Sequence, residues 1–389
     1  MKKVMEFIAN ETHGKSFNTE KYSFETIGVP SFDYDDNPNK VMKWHEQAET
    51  VQHKQPVDLR DTIEIIKEAD PIFTYFLDGS RHVYKVDDIA YGKLVYPVLA
   101  GQVGVGCCHR VNKVIKADRF YRRLVIALPK ASNTLGWNDD AVFSALAQKL
   151  NENLELMHLR RFGIEFSAIL PYDMPKDKQK GKVEDSGTAR IQDYMIESEK
   201  EMVAELVREG KLGYKNYLLK DGSLEYKIMK SGRSDLRVLQ KIKHNYRYVV
   251  GVSKSFNPAS ILDHTGNPNA NYIAELKPFC RTPVAKYQNV EYHGDVQFAV
   301  WYVRLRDKKY MRTPFDGVIK VEKILMDKEI KEGIDSDEVD MISANLIQER
   351  NPTCYGTDKR WANHFYPVFL TESFVKSKYI SSEMFMNLF

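Results

Sequence analysis

Apolar residues fall into two patterns along the chain, short β-branched and aromatic runs and longer stretches with helical spacing. The run from Ile72 to Leu77 is too apolar for an edge strand and too short for a typical helix, so it predicts a central strand. Two further strand-like runs follow, His82 to Tyr91 and Leu94 to Gly104, separated only by Gly92-Lys93. Such a two-residue connection joins antiparallel neighbours, so this region predicts a three-stranded meander.

The tripeptide Asp78-Gly79-Ser80 directly follows the first apolar run. Gly and Ser are turn formers, so the pattern predicts that the strand ends at Asp78, with its carboxylate at the rim of a cleft. The tripeptide recurs as Asp221-Gly222-Ser223, after the apolar run Tyr214 to Leu219. Two aspartates at strand ends are able to share a hard divalent cation such as Mg²⁺ or Mn²⁺, which takes oxygen ligands. Two ordinary Asx turns are the alternative interpretation.

Helical spacing is clearest from Thr188 to Glu209, where apolar side chains mark one face and glutamates decorate the rest. Glu201 and Glu205 lie one turn apart beside the apolar stripe, so they reach towards whatever this helix packs on. Pro171 to Gly187 is charged and aperiodic, which predicts an exposed loop. The pattern predicts further helices at 56–70, 139–159, 234–242, 271–276, 337–349 and 380–389, and further strands at 124–128, 166–170, 246–252, 295–305 and 317–325.

The segment from Lys227 to Arg247 is strongly basic, with Asp235 as its one acid. Such a face suits a polyphosphate backbone, and a solvated helix surface is the alternative. The candidate nucleic-acid contacts in this segment are Arg233, Arg237, Lys241 and Lys243.

Composition adds mainly exclusions. A chain of 389 residues that is 43% hydrophobic can bury a large core, whereas a formal net charge of +3 implies little alone. The four cysteines form no CxxC pair, so we expect reduced thiols and no zinc site. No apolar run approaches ~18 residues, so we expect a cytoplasmic protein without a membrane span. Gly101, Gly104 and Gly106 lack a Walker A lysine, which excludes a P-loop ATPase and indicates close packing or bulges.

The order of these motifs resembles the NurA family of nucleases over roughly residues 70 to 375. The shared order is a strand with DGS, a meander, a Glu-rich helix, a strand with DGSL, a strand ending in GVSK, the strand WYVRL and a late Tyr-Pro. The resemblance implies an α/β fold with an RNase H-like mixed β-sheet, flanking helices and inserted loops and helices. It divides the chain into an extension with a lead-in helix at 1–70, a nuclease domain at 71–377 with an insertion at about 111–187, and a C-terminal helix at 378–389.

The resemblance also implies a function. NurA-like proteins are metal-dependent DNA nucleases that use Mn²⁺ or Mg²⁺, form dimers and work with a HerA-type hexameric ATPase in DNA end processing or antiviral defence. Carried onto this sequence, Asp78 and Asp221 match the metal-binding aspartates, and Glu205 or Glu201 matches the middle ligand on the preceding helix. Lys254 resembles the lysine that closes the next strand.

The C-terminal motif departs from the family. Tyr366 resembles its tyrosine, which implies a position near Asp78, but Phe374 stands roughly where the family carries a histidine. Glu372 and His364 are the candidate substitutes. If the last catalytic group is lost, the alternative is a non-catalytic DNA-binding adaptor or clamp that regulates a partner ATPase. An unrelated domain whose acids are ordinary turns is the third interpretation.

Overall fold

The computed structural model describes most of the chain. The described residues are 3–17, 19, 21–24, 42–43, 48–153, 157–161, 163–174, 183–224, 236–258, 261–263, 265, 267–288, 296–308, 311–353 and 360–389. Within these ranges the chain has an α/β fold, in which a large mixed sheet is flanked by helices. The predicted fold class is therefore confirmed. Arg233 lies outside the described residues.

The strands are short near the N-terminus and long in the centre of the sheet. They are β1 (Lys15–Ser16), β2 (Tyr22–Ser23), β3 (Met42–Lys43), β4 (Val57–Asp58), β5 (Phe73–Tyr91), β6 (Leu94–Val111), β7 (Val114–Pro129), β8 (Phe166–Tyr172), β9 (Tyr217–Asp221), β10 (Val249–Ser253), β11 (Ile261–Leu262), β12 (Cys280–Arg281), β13 (Ala285–Gln288), β14 (Gln297–Arg304) and β15 (Val318–Ile324).

Helices occur at most of the predicted positions, whereas the helices Asp327–Glu332 and Tyr366–Lys376 were not predicted. They are α1 (Lys3–Glu11), α2 (Arg60–Ile66), α3 (Asp139–Glu152), α4 (Met157–Arg160), α5 (Val183–Arg208), α6 (Leu236–Tyr246), α7 (Ala270–Ala274), α8 (Asp327–Glu332), α9 (Ser336–Glu349), α10 (Tyr366–Lys376) and α11 (Ser382–Met386). No helix in the described ranges is both long enough and apolar enough to cross a bilayer.

The main sheet has the strand order β4-β12-β14-β15-β10-β9-β5-β6-β7-β8. Strands β5, β6 and β7 form an antiparallel meander. Strand β9 is parallel to β5, and β10 is parallel to β9. These five strands, in the order β7-β6-β5-β9-β10, have the pairing of an RNase H-like core, with α5 and α6 in the connections to the parallel strands. The parallel strands therefore end at one common edge.

The prediction that the first strand ends at Asp78 is wrong. Strand β5 runs without a break from Phe73 to Tyr91, so Asp78-Gly79-Ser80 lies inside it and two predicted strands are one. Strand β5 pairs with β9 only as far as Leu77, whereas its pairing with β6 continues to Tyr91. Asp78 is therefore the first residue of β5 without a partner on β9. The turn formers are extended here since the long β6 strand supplies hydrogen bonds along the whole of β5.

The meander is confirmed with different strands. Tyr91 pairs with Leu94, and Gly92 has a φ of 63°, so the predicted two-residue connection is present. The third strand is β7, which extends the predicted run at 124–128 towards the N-terminus through a basic stretch. Its first half is only partly buried, which is why hydrophobicity alone did not mark it as a strand.

The glycines of β6 provide close packing, as predicted. A Cβ atom at Gly101 would lie 2.9 Å from the side chain of Ile191 on α5. A Cβ atom at Gly104 or Gly106 would lie 2.7 or 2.5 Å, respectively, from the side chain of Val375 on α10. Helices α5 and α10 therefore approach the same strand from opposite faces, since these glycines alternate in direction.

Candidate active site

Three ionisable residues, Asp78, Asp221 and Lys254, lie where the parallel strands end. Leu77 of β5 pairs with Lys220 of β9, so Asp78 and Asp221 are the next residues on adjacent strands. Asp221 in turn pairs with Val252 of β10, which places Lys254 just beyond the end of that strand. The Lys254 carbonyl accepts a hydrogen bond of 2.6 Å from Asn363 Nδ2, which fixes the backbone there.

Asp78 faces helix α10. It pairs with Gly106 of β6, and residues directly opposite in an antiparallel pair point to the same face of a sheet. A Cβ atom at Gly106 would meet Val375 on α10, so the Asp78 side chain points towards that helix. The next residue, Gly79, faces the opposite side and meets Glu199 of α5.

Helix α10 adds a carboxylate to this face. The Lys254 ammonium lies 2.7 Å from Asp221 Oδ2 and 3.8 Å from Glu372 Oε2. The Lys254 and Asp221 side chains are 3% and 14% exposed, and Asp78 is also buried. Glu372 accepts a second contact of 2.7 Å from the exposed Lys376. We call Asp78, Asp221, Lys254 and Glu372 the carboxyl–lysine cluster.

The cluster perturbs its own acids in opposite directions. Burial raises the pKa of Asp78 well above its ordinary value, and the neighbouring Asp221 carboxylate raises it further. Burial also acts to raise the pKa of Asp221, but the Lys254 ammonium and its hydrogen bond outweigh this, so the net pKa is lowered. Two adjacent acids with separated pKa values are typical of catalytic carboxylate pairs.

Lys254 is the counter-ion of the whole group. Burial acts to lower its pKa, but the carboxylates of Asp221 and Glu372 outweigh burial and raise it, so the ammonium is charged. Burial likewise acts to raise the pKa of Glu372, while Lys254 and Lys376 bring it below its ordinary value. Asp221 and Glu372 thus share one buried ammonium, and additional positive charge would favour the ionised form of Asp78 as well.

The donor chemistry of the cluster fits a hard divalent cation. Asp221 Oδ1 and Glu372 Oε2 are buried carboxylate oxygens without a hydrogen-bond partner, and such oxygens are the ligands that Mg²⁺ and Mn²⁺ take. In the part of the chain that the structure describes, however, no three His, Cys, Asp or Glu side chains are arranged as a ready metal site. Lys254 is bound to the carboxylates that a cation would need.

Helix α5 contributes a different glutamate from those predicted. Glu199 is buried beside Gly79, and its carboxylate lies 3.2 Å from the ammonium of Lys220. Lys220 precedes Asp221 on β9, so this pair lies on the face opposite the carboxyl–lysine cluster. The apolar spacing of this helix predicts that Glu199 lies with the other glutamates, outside the apolar face. The sequence feature that points to Glu199 is Gly79, because a glycine in a strand leaves room for a side chain from the facing helix.

The two predicted helix ligands lie elsewhere. Glu201 is half exposed and forms an ion pair with Arg123 of β7. Glu205 forms an ion pair of 3.2 Å with Arg119 and accepts a hydrogen bond from the Tyr121 hydroxyl. These contacts tie α5 to the meander, so the structure does not bring Glu201 or Glu205 together with Asp78.

The C-terminal candidates occupy three different environments. Tyr366 is the first residue of α10 and is 46% exposed, whereas Glu372 further along the helix contacts the cluster. His364 is buried, with its ring 5.4 Å from that of Trp361. Phe374, near the expected histidine position, packs edge-on against Phe120 at 5.6 Å. Glu372 is therefore the candidate substitute that the fold places in the cluster.

The predicted basic surface is only partly available. Arg237 and Lys241 are exposed on α6. Lys243 is buried and forms an ion pair with Asp327 of α8. Of the three candidates that the structure describes, Arg237 and Lys241 are therefore suited to an external phosphate chain.

A second basic region lies beside the cluster. It is a groove of about 920 Å³ between β7, β8 and α3. Phe120, at its edge, pairs with Gly106, which itself pairs with Asp78, so the groove begins two strands away from the cluster. Its lining holds four cationic residues, Arg122, Arg160, Arg190 and Lys378, and two acidic ones, Asp140 and Glu165. Arg160 forms an ion pair of 3.0 Å with Glu165.

Comparisons with known proteins give one structural similarity to report. No family model matches the chain, and no curated protein matches it. A search of solved structures finds the crystal structure of the NurA nuclease from Sulfolobus solfataricus, with 14% identity, a TM-score of 0.42, and coverage of 79% of this chain and 80% of that chain. A similarity at this level does not identify an activity.

Proposed function

We propose that this chain is a divalent-metal-dependent deoxyribonuclease that hydrolyses phosphodiester bonds. The observation that supports this proposal is the carboxyl–lysine cluster, in which acids from β5, β9 and α10 converge at the edge of an RNase H-like sheet. Buried carboxylates with unpartnered oxygens are costly to the fold, and their retention is typical of a functional site.

Asp78, Asp221 and Glu372 would hold the cation, which when bound would stabilise charge on the reacting phosphate oxygens. Lys254 neutralises Asp221 and Glu372 before the cation binds and then supplies positive charge beside the phosphate. The cover of α10 over Gly104 and Gly106 keeps the cluster largely dry, which strengthens each of these interactions.

The proposed substrate is DNA. Arg237 and Lys241 on α6, together with the cationic groove beside β7, suit contacts to a phosphate backbone. Tyr366 is sufficiently exposed for its hydroxyl to reach a phosphate of the substrate. We further propose a homodimer that acts with a HerA-like hexameric ATPase in DNA end processing or antiviral defence, as the resemblance to the NurA family implies.

Cleavage of linear and circular DNA by the purified protein, with Mn²⁺, Mg²⁺ or EDTA, tests the proposal. We expect cation-dependent products that disappear in Asp78→Asn and Asp221→Asn. Asp88→Asn is the matched control, because Asp88 is an ion-paired aspartate of the same strand and contacts Lys85, far along β5. Equal cleavage by all four proteins, or none by the wild type with any cation, would contradict the assignment.

The second candidate is a non-catalytic DNA-binding adaptor or clamp. The observation that favours it is that Lys254 already neutralises Asp221, so the cluster is partly satisfied without a cation. An adaptor is expected to bind DNA equally in EDTA and Mn²⁺, to leave DNA intact and to alter the activity of a partner ATPase. The cleavage assay in both buffers separates the two candidates.

A further inference from the structure

We infer that the buried ion pair of Glu199 and Lys220 is a positioning device for Asp221, which it acts on through the backbone of residues 221–224. This inference rests on the proposed function, because it assigns a role towards the same carboxyl–lysine cluster. Neither residue faces that cluster, since Lys220 and Asp221 alternate across β9.

The Lys220 ammonium contacts the backbone at the end of β9. It donates to the carbonyl oxygen of Asp221 at 2.7 Å and lies 3.4 Å from that of Ser223. Between these carbonyls, Gly222 has a φ of 83°, a conformation that L side chains rarely adopt. The ammonium therefore binds the carbonyls on either side of Gly222 and restrains the backbone where Asp221 ends the strand.

Glu199 holds Lys220 in turn. Its carboxylate lies 3.2 Å from the ammonium, and both side chains are at most 4% exposed. A Cβ atom at Gly79 would collide with this carboxylate, so the glycine of the first DGS tripeptide makes the pair possible. Asp78 precedes that glycine. One arrangement of buried groups thus links the backbones of both aspartates to helix α5.

Strand β15 fixes the other end of the same segment. Glu322 Oε2 accepts hydrogen bonds from Ser223 Oγ at 2.9 Å and from the Leu224 amide at 2.7 Å. Glu322 is fully buried, and Lys320 lies 2.8 Å from its other oxygen. Residues 221–224 are consequently held by charged groups from two directions, which is more restraint than a surface turn requires.

A purely structural ion pair is the competing explanation, and paired substitutions distinguish the two. Removal of one buried partner leaves an unpaired charge and destabilises the fold, whereas removal of both is often tolerated. The double variant Glu199→Gln with Lys220→Met should therefore melt near the wild-type temperature while still lacking the bonds to the carbonyls of Asp221 and Ser223.

The experiment measures kcat and KM for DNA cleavage, together with melting temperature, in Glu199→Gln, Lys220→Met, the double variant and Lys220→Arg. Glu197→Gln is the matched control, because Glu197 lies on the same helix in an exposed ion pair with Lys200. We expect kcat to fall by about tenfold or more in the two Lys220→Met proteins, with KM changed by less than about twofold, because only the geometry at Asp221 is altered. Lys220→Arg should restore part of kcat.

Amide hydrogen exchange provides a readout that does not depend on cleavage. The Gly222 amide donates to the Val252 carbonyl at 2.8 Å, and the Leu224 amide donates to Glu322. The exchange rates of both amides should rise in the Lys220→Met proteins and stay at the wild-type value in Glu197→Gln. If the wild type cleaves no DNA, the proposed function is wrong. The amide exchange rates then test the positioning role by themselves. Wild-type exchange at both amides, or wild-type kcat in the double variant, would overturn the inference.

Discussion

Replacement of Lys254 by methionine is the sharpest perturbation of the cluster, because this single buried ammonium serves all three acids. Methionine preserves most of the side-chain volume and removes only the charge. The variant leaves Asp221 and Glu372 without the partner that lies 2.7 and 3.8 Å away, respectively. Removal of one member of a buried ion pair costs about 3 to 5 kcal/mol, so we expect a loss of that size in the free energy of unfolding at pH 7.

The loss should depend on pH with a defined sign. In the wild type, the pKa of Asp221 is lowered, so its contribution to stability is present above the ordinary value of 3.8 and is lost as pH falls. In the variant, burial without Lys254 raises the pKa values of these acids, so their stability is present at low pH and lost as pH rises. The difference between the two proteins should therefore shrink as pH falls from 7 towards about 4.

A divalent cation should replace the missing charge. At about a hundred times its Kd, a ligand that binds only the folded state adds about 2.7 kcal/mol. We expect Mn²⁺ or Mg²⁺ to stabilise Lys254→Met more than the wild type, in which Lys254 competes for Asp221 and Glu372. Chemical unfolding at fixed pH, with cation or with EDTA, measures both effects.

Lys323→Met is the matched control for this measurement. Lys323 is 2% exposed and lies 3.2 and 3.5 Å from Glu329 and Glu338, so it too is a buried lysine between two carboxylates. We expect a similar destabilisation but no specific rescue by the cation. Equal rescue of both variants, or no rescue of Lys254→Met, would refute the view that the cluster accepts a cation.

Three further outcomes are expected. Asp78→Asn should abolish cleavage yet raise the free energy of unfolding at pH 7 in EDTA, which chemical unfolding measures. Burial and Asp221 raise the pKa of Asp78, so the stability that its neutral form contributes is lost as pH rises above 3.8. Tyr366→Phe should lower kcat/KM by about tenfold or more, the loss expected for a charge-assisted hydrogen bond of ~1.5 to 3 kcal/mol, without a change in melting. Lys241→Ala should weaken DNA binding and reduce its salt dependence by about one counter-ion in a titration at several salt concentrations.

The fold was predictable where the hydrophobic pattern was unambiguous. The strand pair β14 and β15 and helix α9 appear where apolar spacing placed them. Helix α5 also appears, but it begins at Val183, inside the segment 171–187 that was predicted to be a loop. The break assigned after Leu77 was wrong because Gly79 and Ser80 carry a local turn preference that tertiary pairing overrides. No local pattern contains the information that an 18-residue strand, β6, continues alongside them.

The cluster was predictable only in part. The repeated DGS tripeptide led to Asp78 and Asp221 because Asp78 follows the last residue of β5 that pairs with β9, and Asp221 is the last residue of β9. The helix contributions required knowledge of which face of α5 meets the sheet. The apolar stripe gives that face to within about one residue, and Glu199 lies beside Met202 and Met195 on it, whereas Glu201 and Glu205 turn towards β7.

The position of Lys254 would make stability and the proposed cation binding compete for the same oxygens. The ammonium contacts Asp221 and Glu372 and stabilises the fold without a cation, but it would have to give up part of these contacts for a divalent ion to bind. Asp78 takes part in this competition, because burial and the neighbouring Asp221 carboxylate raise its pKa, whereas a bound cation would favour its ionised form. When Asp78 is ionised, the three carboxylates outnumber Lys254 and Lys376, the two lysines that contact the cluster. A divalent ion at this site would balance the excess of negative charge.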